Sequence, residues 1–304
     1  MTKHSSEKMD PLVTKIAFAN IGMSIVVLGF KYIAFHVTGS VAFYSDAIES
    51  IVNVITAIAA FIAIKISSKP ADDDHAYGHS KAEYLAALLE GILIWVASFT
   101  ILREAYKAFL NPHPLDAPMM GIGISILATF LNGAWSWLLI SKGRKNRSPA
   151  LEADGKHLLT DVYTSGGVIL GVLLVALTGW QRLDPTLASL VALHIIWSGW
   201  ELVRDSINGL MDSSLPEAEL KRIQETIAAN LEGAIEIHHL RTREAAHMTF
   251  IDFHLVVKGD MSVDNAHEIS RRIKNALKGL HANSVISIHI EPESKRKKEG
   301  SFTS

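Results

Sequence analysis

The chain has 304 residues, 49% hydrophobic and 20% charged, with a formal net charge of −2. That balance excludes both an ordinary soluble domain and a bare bundle of membrane spans, and it fits a membrane part joined to a soluble part. The near-neutral charge excludes a polyanion partner such as nucleic acid, and the absence of cysteine excludes disulfides, thiolate zinc sites and cysteine nucleophiles.

The first residues, "MTKHSSEKMDPLVTK", are polar and carry no small-residue cleavage site near a short apolar core. They predict a retained N-terminal segment over 1–13, not a signal peptide. Apolar runs of span length follow near 14–36, 40–66, 82–109, 116–141, 155–178 and 184–208. Each has the ~20 residues that a bilayer core demands. The second and fifth are interrupted by polar residues.

Charge in the loops predicts the orientation. The loop after the fourth span, "SKGRKNRS", carries Lys142, Arg144, Lys145 and Arg147, and Lys65, Lys69 and Lys81 surround the loop after the second. The loops after the third and fifth spans, "NPHPLDAP" and "TGWQRLD", hold Arg182 alone. Positive charge marks the cytoplasmic side, so both termini are expected there, as an even number of spans requires.

From about residue 209 the pattern becomes that of a small α+β domain, expected to run to 293, with a disordered basic tail over 294–304. "SLPEAELKRIQETIAANL" places Leu220, Ile223, Ile227 and Leu231 at helical spacing. "MTFIDFHLVV" alternates as a strand, with Ile251, Phe253 and Leu255 on one face and Asp252 and His254 on the other. "VDNAHEISRRIKNALKGL" is a second amphipathic helix. "SVISIHIEP" predicts a strand with Ile286, Ile288 and Ile290 inward and Ser287, His289 and Glu291 outward. The predicted order is helix, strand, strand, helix, strand.

Polar residues inside the spans carry the chemistry. Span two contains Asp46, Glu49 and Asn53, and Glu49 and Asn53 stand four apart on one helix face. His157 and Asp161 repeat that spacing in span five. An ionised group at that depth costs several kcal/mol unless it has a partner or a wet cavity. Two helices each offering an i, i+4 pair of oxygen or nitrogen ligands can close a four-coordinate shell around a divalent cation. Glu49 and Asp161 supply two negative charges against the cation's two positive ones. The competing reading, hydrogen bonding between helices, weakens when two matched pairs occur. Asp46 is open between a capping or packing role and a gating role. Asn20, Glu90, Asn132 and His194 read as packing residues.

With "PADDDHAYGHSKAE" after span two and "HHLRTR" with "SIHIEP" in the tail, the chain resembles the cation diffusion facilitators, divalent-metal/proton antiporters. The resemblance covers nearly the whole chain. It implies a six-helix α-helical membrane domain and a cytoplasmic αββαβ domain of metallochaperone or ferredoxin-like type. It implies a transport site of Glu49, Asn53, His157 and Asp161. A loop site would use Asp72, His75 and His79, and a tail site His238, His254, His289 and Glu291, with His267 as an extra ligand. From the residues alone, the Asp72, His75 and His79 group reads first as a solvated turn opening span three, and a solvated sheet face is the competing reading of His254 and His289.

The resemblance further implies a homodimer in a lipid bilayer, the cell's inner membrane, with Lys81 and Asp212 as a charge contact at the dimer hinge. Divalent metal and protons are its small partners. Zinc leads as substrate and regulator, ahead of Co, Fe, Mn, Ni and Cd, and no organic cofactor is implied. Three positions depart from the family's usual pattern. Glu49 and Asn53 stand where His or Asp followed by Asp is usual, and Glu291 stands where Asp is common. An intramembrane metal enzyme finds no support, because "HEISR" lacks the second histidine of HExxH. A metal sensor or assembly factor that kept the fold and lost transport is the alternative that Asn53 leaves open.

Overall fold

The computed structural model describes residues 11–112 and 115–296. Residues 1–10 of the expected N-terminal segment and 297–304 of the expected basic tail lie outside the described residues. The chain divides into two compact units between Ile207 and Asn208.

The first unit is helical. It comprises α1 (Pro11–Thr38), α2 (Val41–Ser67), α3 (Ala82–Leu110), α4 (Pro118–Asn146), α5 (Pro149–Thr178) and α6 (Leu183–Leu210), which runs on to the division. All six are long and apolar enough to cross a membrane. Their burial pattern inverts that of a soluble bundle. Phe18, Phe99, Phe130, Trp137 and Leu177 are exposed, while Asn20, Lys31, Asp46, Glu49, Asn53, Glu90 and Asp161 are buried. Lipid accepts the apolar surface, so polar groups collect where protein can satisfy them.

Two helices outrun their hydropathy. α5 begins at Pro149, not near 155, because Ser148 caps it with its Oγ accepting from the Leu151 N–H and proline opens its first turn. α4 continues past 141 to Asn146, where Arg147 ends it in the left-handed conformation at φ 49°. Hydropathy marks only the part that lipid would surround, and the polar first turns of α5 fall outside that signal. α4 and α5 pack with backbones in close approach. A Cβ on Gly155 would lie 2.8 Å from the Ile140 nitrogen, and one on Gly143 2.8 Å from the Glu152 nitrogen. Small residues are what allow such a crossing.

Buried carboxylates tie the helix ends. Glu83 of α3 accepts from Ser67 Oγ at 2.8 Å, Ser148 Oγ at 2.5 Å and the Ala150 N–H at 3.4 Å. At the opposite end of α2, Asp184 of α6 accepts from Ser40 Oγ at 2.7 Å and the Val41 N–H at 2.9 Å.

The second unit contains α7 (Glu217–Ala228), β1 (Glu236–Ala245), β2 (Met248–Val257), α8 (Val263–Leu280) and β3 (Ser284–Pro292). The sheet order is β1-β2-β3, antiparallel then parallel, with α8 as the crossover. Ile223, Ile227, Ile237, Ile251, Phe253, Leu255, Ile273 and Leu277 form its apolar core. Ile286 and Ile288 face that core as expected, but Ile290 is 39% exposed. β3 is an edge strand, paired with β2 on one side. The chain does not become a tail at 294. Glu293–Lys295 forms a 3-10 turn, and Arg296 Nε meets the buried Glu236 Oε2 at 3.2 Å.

Candidate metal centres

In the helical unit, α2 supplies Glu49 and Asn53, and α5 supplies His157 and Asp161. All four are buried, with Asp161 at 0% exposure. Ligand atoms of Glu49, His157 and Asp161 lie within 4.8 Å of one another. His157 Nδ1 is 3.6 Å from Asp161 Oδ1, and Asn53 Nδ2 donates to Asp161 Oδ2 at 2.5 Å. Thr164 Oγ1 stands 3.5 Å from Glu49 Oε2. Each of the four keeps one buried polar atom without a hydrogen-bond partner: Glu49 Oε1, Asn53 Oδ1, His157 Nε2 and Asp161 Oδ1. An unmade buried hydrogen bond costs about 1–3 kcal/mol. Four in one quartet form a site prepared for something that accepts lone pairs.

Asp46 stands outside this group. Its Oδ1 accepts from Lys31 Nζ of α1 at 2.7 Å and from Ser165 Oγ of α5 at 2.7 Å. Lys31 and Ser165 were not legible as partners in the sequence, where a single lysine near the end of an apolar run looks like an interfacial anchor. Asn20 is more than a packing residue. Its amide donates to Asp154, and its oxygen accepts from Trp135 Nε1 at 2.5 Å, which links α1, α4 and α5. Glu90 and Asn132 are buried, whereas His194 is exposed on the outside of α6 and packs nothing in the interior.

In the loop between α2 and α3, Asp72 Oδ1 is 3.4 Å from His75 Nδ1, and Asp72 Oδ2 is 3.4 Å from His79 Nε2. Their ligand atoms lie close enough together that the three could hold a metal ion. The His75 backbone N–H donates to Asp72 Oδ1 at 2.7 Å and holds this carboxyl below its ordinary value. The carboxylate is thereby kept ionised, the form a cation needs.

In the sheet unit, the register aligns His238, His254 and His289 in one row across β1, β2 and β3. Residues paired in register share a face. Glu291, two residues beyond His289, shares it too. Glu291 Oε2 is 3.1 Å from His238 Nε2, and its Oε1 is 3.1 Å from His254 Nδ1 and 3.7 Å from His289 Nε2. His238, His254 and Glu291 form the ligand group, with His289 at its open edge. His267 is exposed on α8 and lies outside the group. Glu236 was missed in the sequence. Its Oε1 is 3.4 Å from His238 Nδ1, which orients the ring so that Nε2 faces Glu291.

Removing a carboxylate that two imidazoles approach should cost more than removing the outlying histidine. We expect Glu291→Ala to lower zinc affinity of residues 208–304, a unit with its own apolar core, by about tenfold or more. His289→Ala should lower it less. Calorimetry on that fragment checks this, and unchanged affinity in Glu291→Ala would remove the site.

Lys81 and Asp212, which the resemblance pairs at a dimer hinge, lie in different units of the chain. Lys81 occupies the N-cap position of α3. Asp212, at φ 60°, engages Arg243 of β1 at 2.8 Å, and the Arg243 guanidinium lies 4.0 Å over the Phe250 ring. Asp212 thus fastens the segment after α6 to its own sheet.

Comparison with known proteins gives this geometry a context. The family profile described as "Cation efflux transmembrane domain" matches residues 17–211, and "Cation efflux protein, cytoplasmic domain" matches 215–293. An uncharacterized transporter of Synechocystis, sll1263, is 41% identical over 281 residues, 92% of this chain and 91% of that one. The cation-efflux pump FieF of Salmonella arizonae is 29% identical over 285 residues, 92% of this chain and 93% of the pump. Among solved structures, the Zn form of CzrB is 39% identical and covers 29% of this chain and 99% of its own, with a TM-score of 0.28. The metal-bound C-terminal domain of CzcD from Thermotoga maritima is 28% identical and covers 27% of this chain and 100% of its own, with a TM-score of 0.24.

The protein is therefore an integral, multi-pass membrane protein of the cation-efflux class. It belongs to the cation diffusion facilitator family, a family of transporters.

Proposed function

We propose that the chain moves divalent transition-metal cations out of the cytoplasm in exchange for protons, by alternating access in a homodimer, with zinc as the leading ion. The observation that carries this reading is the quartet of Glu49, Asn53, His157 and Asp161, each with one orphaned buried atom. Two carboxylates, one imidazole and one amide make a hard-to-borderline donor set, suited to zinc and its first-row neighbours. The lysines and arginines around the loops after α2 and α4 support cytoplasmic termini, and in this reading the membrane is the cell's inner one.

Cation binding needs deprotonated ligands, so metal and protons compete for Glu49 and Asp161. That competition couples inward proton movement to outward metal movement when the site opens to each side in turn. The loop group at Asp72 and the sheet group at Glu291 are regulatory metal sites in this reading. Metal there biases the dimer between two states.

The test is flux in proteoliposomes over a panel of divalent ions, with proton movement followed in parallel. Metal-driven proton movement supports transport. Metal binding without flux rejects it in favour of a sensor or assembly protein. The same assay addresses Asn53. Asn53→Asp places a third carboxylate beside Glu49 and Asp161, and like charges in a poorly solvated site cannot all remain ionised. We expect uptake in Asn53→Asp to depend more steeply on pH and to rank Zn, Co, Fe and Mn differently. An unchanged pH profile and ranking would return Asn53 to the packing residues.

A further inference from the structure

Lys31, Asp46 and Ser165 form the second polar constellation inside the helical unit, and the ligand quartet does not use it. Asp46 lies one turn before Glu49 on α2, and Ser165 one turn after Asp161 on α5. Both lie toward the turns at 39–40 and 179–182, the side that the transport reading makes extracytoplasmic. Lys31 and Ser165 converge on the same oxygen, Asp46 Oδ1, each at 2.7 Å. All three residues are buried, and Asp46 Oδ2 has no hydrogen-bond partner. Just beyond them, Phe43, Val168 and Val172 pack in one apolar cluster.

A buried ion pair is weak evidence for stability, since apolar side chains of like volume pack as well or better. What it supplies here is a fixed acceptor. The neutral Lys31–Asp46 pair leaves the quartet's net charge of two negatives untouched, so the divalent cation is still matched. Lys31 holds Asp46 in place from α1. Among the described residues, Ser165 links α5 to this anchor through a hydroxyl–carboxylate bond that opens without separating the ions. Any parting of α5 from α2 at this end must break that bond.

We propose that Lys31, Asp46 and Ser165 are the outer latch of the transport site, closed in this structure by the Ser165–Asp46 hydrogen bond, which must open for the cation to leave. The proposal rests on the transport reading. Ser165 and Lys31 are positioning residues and touch no cation.

The experiment uses full-length protein in oriented proteoliposomes. The chain has no cysteine, so Val168→Cys provides a single reporter in the apolar cluster beyond the latch. A membrane-impermeant maleimide is applied from the outer face, and zinc affinity and flux are measured on the same samples. We expect Ser165→Ala to raise the labelling rate about tenfold, from loss of one charge-assisted hydrogen bond. Ser165→Thr, which keeps the hydroxyl, should stay within about twofold of the parent. Lys31→Met with Asp46→Leu, which removes the anchor without stranding a charge, should label as Ser165→Ala does. Zinc affinity should change less than about twofold in Ser165→Ala. Equal labelling of parent and Ser165→Ala in protein that transports overturns the latch alone, as does a Ser165→Thr that labels as fast as Ser165→Ala. A parent that moves no cation overturns the transport reading and the latch with it.

Discussion

Asp161→Ala is expected to abolish cation flux and to leave the protein folded. Asp161 is the most enclosed member of the quartet, with 0% exposure, and it meets both its neighbour on α5 and the amide from α2. In the proposed site it supplies one of the two negative charges that would balance a divalent ion. Loss of an outer partner of a metal ligand already costs about 10–100-fold in affinity, so loss of the ligand itself should exceed that. The fold should survive, because the helices pack through other contacts and the sheet unit has a separate core. Vesicle flux and thermal unfolding of the purified variant test the two halves of the expectation. Undiminished flux would reject the assigned site. Loss of flux together with loss of fold would reject the claim that Asp161 is dispensable for structure.

Lys31→Met should be the most destabilising single change in the helical unit. It removes the cation from a pair whose side chains are 0% and 1% exposed and leaves the buried Asp46 carboxylate uncompensated, with the Ser165 hydroxyl still on Oδ1. Breaking a buried pair from one side costs about 3–5 kcal/mol, whereas replacing both partners with apolar residues is often neutral or better. Lys31→Met with Asp46→Leu should therefore recover most of the loss. Thermal unfolding in detergent of wild type, single and double variants decides it. A single variant as stable as wild type would mean that the ion pair carries little of the packing at this point.

The sequence revealed most where a one-dimensional period carries the information. Hydropathy of span length located six helices, and alternation found the buried face of β2. The i, i+4 spacing singled out Glu49 with Asn53 and His157 with Asp161. The rest depends on what lies across from a residue. Lys31 pairs with a carboxylate on another helix, and no local period announces that. Asn20 and Asp154 are 134 positions apart. Ile290 alternates correctly but sits on an edge strand, where its side chain stays partly exposed, so its pattern predicts burial that the topology withholds. The start of α5 was hidden because its cap and first turns are polar, and hydropathy measures what lipid would surround, not where a helix begins. Glu236 was missed because orienting a histidine through its other ring nitrogen leaves no spacing signature.

The carboxylates of Glu83 and Asp184 have a mechanical consequence for α2. One holds Ser67 at one end of the helix, and the other holds Ser40 and the first backbone N–H at the opposite end. A rod moored at both ends cannot slide along its axis, because any gain in slack at one mooring stretches the other. It can only rock or bow about them. Glu49 and Asn53 lie in its middle, where bowing is widest and sliding would have been useless. While both moorings hold, movement that reshapes the quartet therefore acts sideways, as tilt of α2 or swing of α5.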